Sequence, residues 1–211
     1  MYIAKAFAVI DREALHSFIE ANSFATLVTT VDGAPFATRL PMLLDRVAGI
    51  HGTLIGHVAR ANPHWRSFDG NAPALAMFDG PHAYISPHWY ATSPAVPTWN
   101  YATVHAYGAP RIIDDPRRVE EIVDRLATTY EAALPQPWSA HEIPVEFKAN
   151  LLKAIVGFEM PIDRIEGKFK FGQNRPVEDQ QSMLATLEAR TDSGSHQLAE
   201  LVRREMSRPS H

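Results

Sequence analysis

Leu54-Ile55-Gly56-His57-Val58-Ala59-Arg60-Ala61-Asn62-Pro63-His64-Trp65 joins an apolar run to a helix start within twelve residues. Leu54 to Val58 has the composition of a buried strand. Asn62 is a favoured N-cap and Pro63 suits the first helical position, which places Trp65 and Phe68 toward the core. A helix start presents unpaired N–H groups and a partial positive charge, a combination that holds anions. Arg60 just before the cap can add a bidentate donor, and His57 can line the same mouth. Two readings stand side by side: a plain capped helix with a solvated arginine, or a phosphate cradle. Thr38-Arg39 supplies a second donor cluster, on a strand that the Asp32-Gly33 turn brings back beside its neighbour. The alternative for Arg39 is an exposed strand arginine.

Outward from this junction, short β-type segments are separated by turn residues. Phe24 to Val31 leads into Asp32-Gly33, and Pro35 to Leu44 returns, with Pro41 marking an edge or end. Ile50 to Val58 is a third strand, Pro73 to Phe78 a fourth closed by Asp79-Gly80, and His82 to Ile85 a short fifth. Asn100 to Ile113 follows, broken near Gly108-Ala109-Pro110. This spacing predicts a barrel or sandwich. Helices bracket it. Asp11 caps Arg12 to Ala21, with Leu15, Phe18 and Ile19 on one face. Asp115-Pro116 opens a helix with Val119, Ile122, Val123 and Leu126 in register, and Val145 to Val156 carries Phe147, Leu151, Leu152 and Ile155. Gly157 to Phe171 is extended. Pro176 to Met206 predicts one or two helices, broken near Thr191 to Gly194. The expected class is a β-rich α+β fold with added helices and a C-terminal helical segment.

The 211 residues are 45% hydrophobic and 21% charged, an ordinary globular balance rather than a disordered one. No apolar stretch reaches the roughly 18 residues of a membrane span. Met1 to Lys5 has no secretory pattern, and the chain has no cysteine, so thiolate chemistry and disulfides are excluded and a cytoplasmic location is expected. A net charge of −4 does not ask for nucleic acid, whose binding draws on basic excess. Ten histidines include His51, His57 and His64, and His82 and His88, but none forms a metal-binding helical pair, so no metal site is expected. Signatures of serine hydrolases, P-loop NTPases and Rossmann dehydrogenases are absent.

Two further stretches stand out. Tyr84, Trp89, Tyr90, Trp99, Tyr101 and Tyr107 surround a Ser/Pro-rich loop. Aromatic residues with polar handles suit a planar ligand or a subunit contact, and the two uses are compatible. Lys168-Phe169-Lys170-Phe171 leads into Gly172-Gln173-Asn174-Arg175-Pro176. Gln173 and Asn174 can bond a heterocycle edge or a ribityl chain, or Asn174 can simply cap the next helix.

Four stretches together resemble the PaiB family: MYIAKAF from Met1, GHVARANPHW from Gly56, ISPHWYATSPAVPTWNYATVHAYG from Ile85, and GKFKFGQNRP from Gly167. The likeness runs from Met1 to about Leu187. It implies an FMN-binding split β-barrel over residues 1–187, with 188–211 as a C-terminal helix and tail. It also implies a homodimer holding FMN in the groove between subunits, and a role as a negative transcriptional regulator. Carried over residue by residue, the phosphate falls to Thr38, Arg39, His57, Val58, Ala59, Arg60 and Asn62. The isoalloxazine falls toward Trp99, Asn100 and Tyr101, with Gln173 and Asn174 near the site. Gly172 stands where a serine donor would be expected.

Three functions follow: an FMN-binding regulator of the PaiB kind, an FMN-dependent oxidoreductase in which the cofactor does the chemistry, and a haem-handling relative with histidine ligands. For direct DNA contact the residues offer no helix-turn-helix and no basic stripe. The only cationic helix end runs over Arg203, Arg204 and Arg208.

Overall fold

The computed structural model describes residues 1–207; Arg208, and with it the end of the predicted 188–211 tail, lies outside the described residues. The elements in chain order are β1 (Ala8–Val9), α1 (Arg12–Ala21), β2 (Phe24–Val31), β3 (Ala34–Pro41), β4 (Leu43–Asp45), β5 (Thr53–Ala59), β6 (Ala74–Ile85), β7 (Thr98–Gly108), β8 (Arg111–Ile112), α2 (Pro116–Glu131), α3 (Val145–Lys153), β9 (Ile155–Lys170), α4 (Val177–Ala189) and α5 (Ser193–Met206). The strands bond in the order β3-β2-β6-β7-β9-β5-β4, and β1 and β8 also pair with β9. This is the expected β-rich α+β class.

The chain forms two compact units. One takes residues 16–78 and 105–165. Its hairpin β2–β3 turns at Asp32-Gly33, both in the left-handed region (φ 51° and 78°), the conformation that selects Asx-Gly pairs. β5 runs antiparallel to β9 from Thr53↔Pro161 to Ala59↔Ile155. Across this pair lies α2, whose N-cap Asp115 accepts from the Arg117 N–H at 3.0 Å. Val119, Ile122 and Leu126, one helical face, are buried with Leu43, Ile55 and Ile113. Full burial of such a side chain contributes about 1.5–3 kcal/mol, so this stripe is what holds α2 down. Lys148 of α3 pairs with Glu120 (2.7 Å) and Asp124 (2.9 Å) of α2.

The other unit takes residues 1–15, 79–104 and Glu166 onward. β1 pairs with the end of β9, Ala8↔Lys168 and Val9↔Gly167. A Cβ on Gly167 would meet Leu15 at 2.2 Å, so helix and strand touch there only because the residue is glycine. α4 packs on α5, and Met183, Leu187, Leu198 and Val202 are all but fully buried. Asp192 caps α5, so the Pro176–Met206 region is two helices.

Several element boundaries differ from the sequence reading, among them those of β6 and α3. β6 continues through Asp79-Gly80-Pro81 to Ile85, absorbing the separate strand expected there. Thr103 of β7 donates to the Asp79 carboxylate at 2.8 Å, so this aspartate is tied to a strand residue instead of closing a turn. α3 stops at Lys153 and Ile155 opens β9; of the apolar positions read for this helix, Leu152 and Ile155 pack against the core beneath α2, whereas Phe147 and Leu151 are half exposed.

Candidate functional site

The junction after β5 is built as the sequence suggests, but on a smaller scale. Pro63–Ser67 is one 3-10 turn, capped by Asn62, whose side chain accepts from the His64 N–H at 3.1 Å. Its ring nitrogens make His64 the centre of the junction. Nδ1 bonds Thr38 Oγ1 at 2.8 Å and Nε2 bonds Thr29 Oγ1 at 2.8 Å, tying the turn to β3 and β2. Fully buried, it packs between Phe36 and Phe68, at ring distances of 4.8 and 5.1 Å. Burial pushes its pKa down. Sequence spacing had grouped His64 with the other histidines; the signal that could have separated it was its place immediately after an Asn-Pro cap.

Thr38 also accepts from the Asn62 side-chain amide at 3.1 Å, so Thr38, Asn62 and His64 form one network. Arg39 does not join it. Successive strand side chains point to opposite faces, and Arg39 is exposed, its guanidinium 4.9 Å from the Phe24 ring centroid and bonded to the Phe24 carbonyl at 3.3 Å. Arg60 is exposed, yet its Nε and Nη2 donate to the carbonyls of Lys153 and Ile155, both at 2.8 Å. Its N–H goes to the Ala154 carbonyl at 2.7 Å and that of Asn62 to Ala59 at 2.9 Å. Of the two readings of Arg60, plain solvation does not hold: the guanidinium fastens the start of β9. Trp65 is half-buried instead of core-facing, its indole N–H donating to the Arg60 carbonyl at 2.9 Å, whereas Phe68 is buried against Phe158. Val58 is a core residue and Ala59 is exposed. His57 keeps its Nδ1 buried without a partner, and burial lowers its pKa. β4 pairs with β5 only as far as Leu43↔Ile55, so beyond Ile55 the ladder partner of β5 is β9 alone.

In the other unit, strand alternation sorts the aromatic cluster. Trp99 is 54% exposed, with Tyr84 5.9 Å away edge-on and His82 at 6.1 Å. Two residues on, Tyr101 lies 5.2 Å beneath the Lys168 ammonium. Lys170 donates to Thr98 Oγ1 and to the Trp99 carbonyl (2.9 Å); burial, opposed by Tyr101 and aided by Lys168, lowers its pKa. Asn100 points the other way and is 1% exposed. Its amide N–H meets Met183 Sδ at 3.2 Å, while its Oδ1 has no partner.

Gln173 folds back on its own chain. Its amide oxygen accepts from the Phe171 N–H (2.8 Å) and its amide nitrogen donates to the Phe169 carbonyl (2.7 Å). Asn174 is exposed and does not cap α4, whose N-cap position is Pro176 and has no side-chain cap. Gly172 sits at φ +84°, where a serine would be strained. A residue that sequence reasoning passed over, Asp179, is fully buried and accepts from the Thr92 N–H (2.8 Å) and hydroxyl (2.9 Å), pinning the Ser/Pro-rich loop to α4. Arg175 stacks 4.1 Å from Tyr90 and Arg190 lies 5.5 Å from Trp89.

In the unit of β7's first half, the buried Asn100 Oδ1 can accept a hydrogen bond and Trp99 offers an open aromatic face, a chemistry that suits a flavin in kind; in the other unit, His57 Nδ1 is a further unspent polar atom. No helix among the described residues is long and apolar enough to cross a membrane.

The model of the family described as "Putative FMN-binding domain" matches residues 1–164. Protease synthase and sporulation protein PAI 2 of Bacillus subtilis is 37% identical over 202 residues, covering 96% of each chain. Among solved structures, the flavocytochrome Anf3 of Azotobacter vinelandii shares 16% identity at a TM-score of 0.58, over 86% of this chain and 77% of its own. An FAD and heme binding protein of Mycobacterium smegmatis shares 20% at 0.54, over 84% and 79%. At those identities the likeness establishes the split-barrel fold alone. The length and identity of the first two matches decide the family: this chain belongs to the PaiB family of FMN-binding-domain, split-barrel proteins.

Proposed function

We propose that this protein binds FMN as a cytoplasmic homodimer, with the flavin in the groove between subunits, and that it serves as a negative transcriptional regulator of the PaiB kind. The observation that carries the flavin reading is the open Trp99 face, edged by Tyr84 and His82 and followed by Tyr101 under Lys168. A large ring exposed on a strand suits a planar heterocycle, with offset or edge contacts contributing about 0.5–1.5 kcal/mol beyond area burial. The phosphate end falls to Arg39, whose guanidinium bonds only one carbonyl, and to the junction with Thr38, His57, Val58, Ala59, Arg60 and Asn62. When bound, FMN supplies one- and two-electron redox chemistry; the chain's own residues bind and orient it. Asn100, Gln173 and Asn174 support that face: Asn100 through its unspent acceptor, Gln173 by fixing the turn after β9, Asn174 as an exposed amide beside it.

The regulator role rests on the PAI 2 likeness, and an FMN-dependent oxidoreductase is the competing reading. Titration of the full chain with FMN, followed by quenching of flavin fluorescence, tests the cofactor. Trp99→Ala is expected to weaken binding by about 1 kcal/mol, roughly five-fold, and to reduce the quenching. Unchanged affinity and quenching would remove Trp99 from the site.

A further inference from the structure

A cavity lies in the unit that contains α2 and α3. It measures about 580 Å³, within the usual range of small-molecule sites, and opens between the first turn of α2, the last turn of α3 and the start of β9. Its floor is apolar, formed by Ile113, Val119, Leu152 and Val156, with Trp65 on one wall. Gly157 belongs to the same floor. A Cβ there would approach Val119 Cγ2 to 2.8 Å, so α2 lies on β9 at this point only because residue 157 has no side chain.

The rim decides what the cavity would take. It carries the cations Arg60, Arg117 and Lys153 and the carboxylates Asp114 and Glu120. Glu120 is already held by Lys148 at 2.7 Å. Arg60 spends two of its donor groups on backbone carbonyls. Lys153 reaches only the neutral amide oxygen of Asn150, at 3.2 Å. Among the described residues neither Arg117 nor Lys153 has a carboxylate partner. Two uncompensated cations therefore stand over an apolar floor, against the single carboxylate of Asp114.

We propose that this cavity is a ligand site separate from the flavin site, and that it takes a small monocarboxylic acid with an apolar body. The carboxylate would sit between Arg117 and Lys153, and the hydrocarbon on Val119, Leu152 and Val156. An arginine fork suits a carboxylate, and the apolar floor supplies the area-dependent part of the affinity. Arg60 lies on this rim and is also among the residues proposed for the FMN phosphate, but its fork is held by the Lys153 and Ile155 carbonyls and the carboxylate here is assigned to Arg117 and Lys153 alone, so the reading does not depend on the flavin assignment.

Isothermal titration of the full chain with sodium octanoate, with octylamine as the cationic control, tests it. Octanoate is expected to bind with one site per chain and octylamine at least ten-fold more weakly. Arg117→Glu combined with Lys153→Glu, both at exposed positions, should weaken octanoate at least ten-fold while leaving FMN affinity within two-fold. Leu152→Trp, which fills the floor, should abolish octanoate binding. If Leu152→Trp fails to fold, the double charge variant alone decides. No octanoate binding, equal binding of octylamine, or undiminished binding by the folded variants would overturn the proposal. Competition between FMN and octanoate would also overturn it, since the cavity would then be part of the flavin site.

Discussion

His64 and Arg60, four residues apart, do opposite things with their polar groups. His64 is sealed in and has both ring nitrogens satisfied, as a buried imidazole requires. Arg60 is exposed but spends its fork on carbonyls, while Arg39 rests on Phe24 with most of its donors free. The two arginines should therefore respond differently to removal. Arg39→Ala and Arg60→Ala are each expected to weaken FMN binding by about 1.5–3 kcal/mol, as loss of a charge-assisted hydrogen bond does. Only Arg60→Ala should also destabilise the free protein, by about 1–2 kcal/mol for two lost bonds, seen as a lower urea midpoint. Wild-type FMN affinity in both variants would contradict the phosphate assignment. The sequence pair Thr38-Arg39 looked like one donor cluster; strand alternation puts the two on opposite faces, a consequence that spacing states but that only the assigned strand makes concrete.

Among the elements, α2 was the most legible. Asp115-Pro116 marked its start, and of the four residues read in register Val119, Ile122 and Leu126 are buried while Val123 is only half-buried. Local chemistry of this sort survives folding because cap and stripe agree with each other. α3 was less legible: Leu152 packs against the core as its period suggests, but Phe147 and Leu151, at the same period, lie half exposed, and Lys148 adds ion pairs to Glu120 and Asp124. β6 was misread at Asp79-Gly80 because a turn pair carries no information about a distant hydroxyl, here that of Thr103. Since α2 covers the core of its unit, its cap should report on the whole fold. Asp115→Ala is expected to cost about 0.5–2 kcal/mol and lower the thermal midpoint, with Asp115→Asn close to wild type. Melting of the alanine variant at the wild-type temperature would show that the cap carries no stability.

At the scale of the molecule, two depressed histidines set a pH response. Burial holds His57 and His64 below the ordinary value of 6.5, so the unfolded chain takes up protons near that pH which the native state refuses. The stability they contribute is complete above about pH 6.5. It is lost as pH falls below that, at up to about 1.4 kcal/mol per pH unit for each histidine until its folded pKa is reached. Urea melts at pH 7.5 and 5.5 should show the lower stability at 5.5; equal midpoints would mean that neither imidazole is protected. The strand-and-turn pattern made the β-rich class readable from the sequence, and the four long motifs made the family readable. What could not be read was which polar atoms remain unspent, because that depends on partners such as Met183 for Asn100 and Lys153 for Arg60, 83 and 93 residues away. Whether this protein carries FMN is decided by the visible absorption spectrum of the purified full chain, recorded before and after adding FMN and removing excess. A retained flavin spectrum at one FMN per chain is the predicted result. A colourless protein that retains no added FMN, or one that shows a Soret band instead, would contradict it.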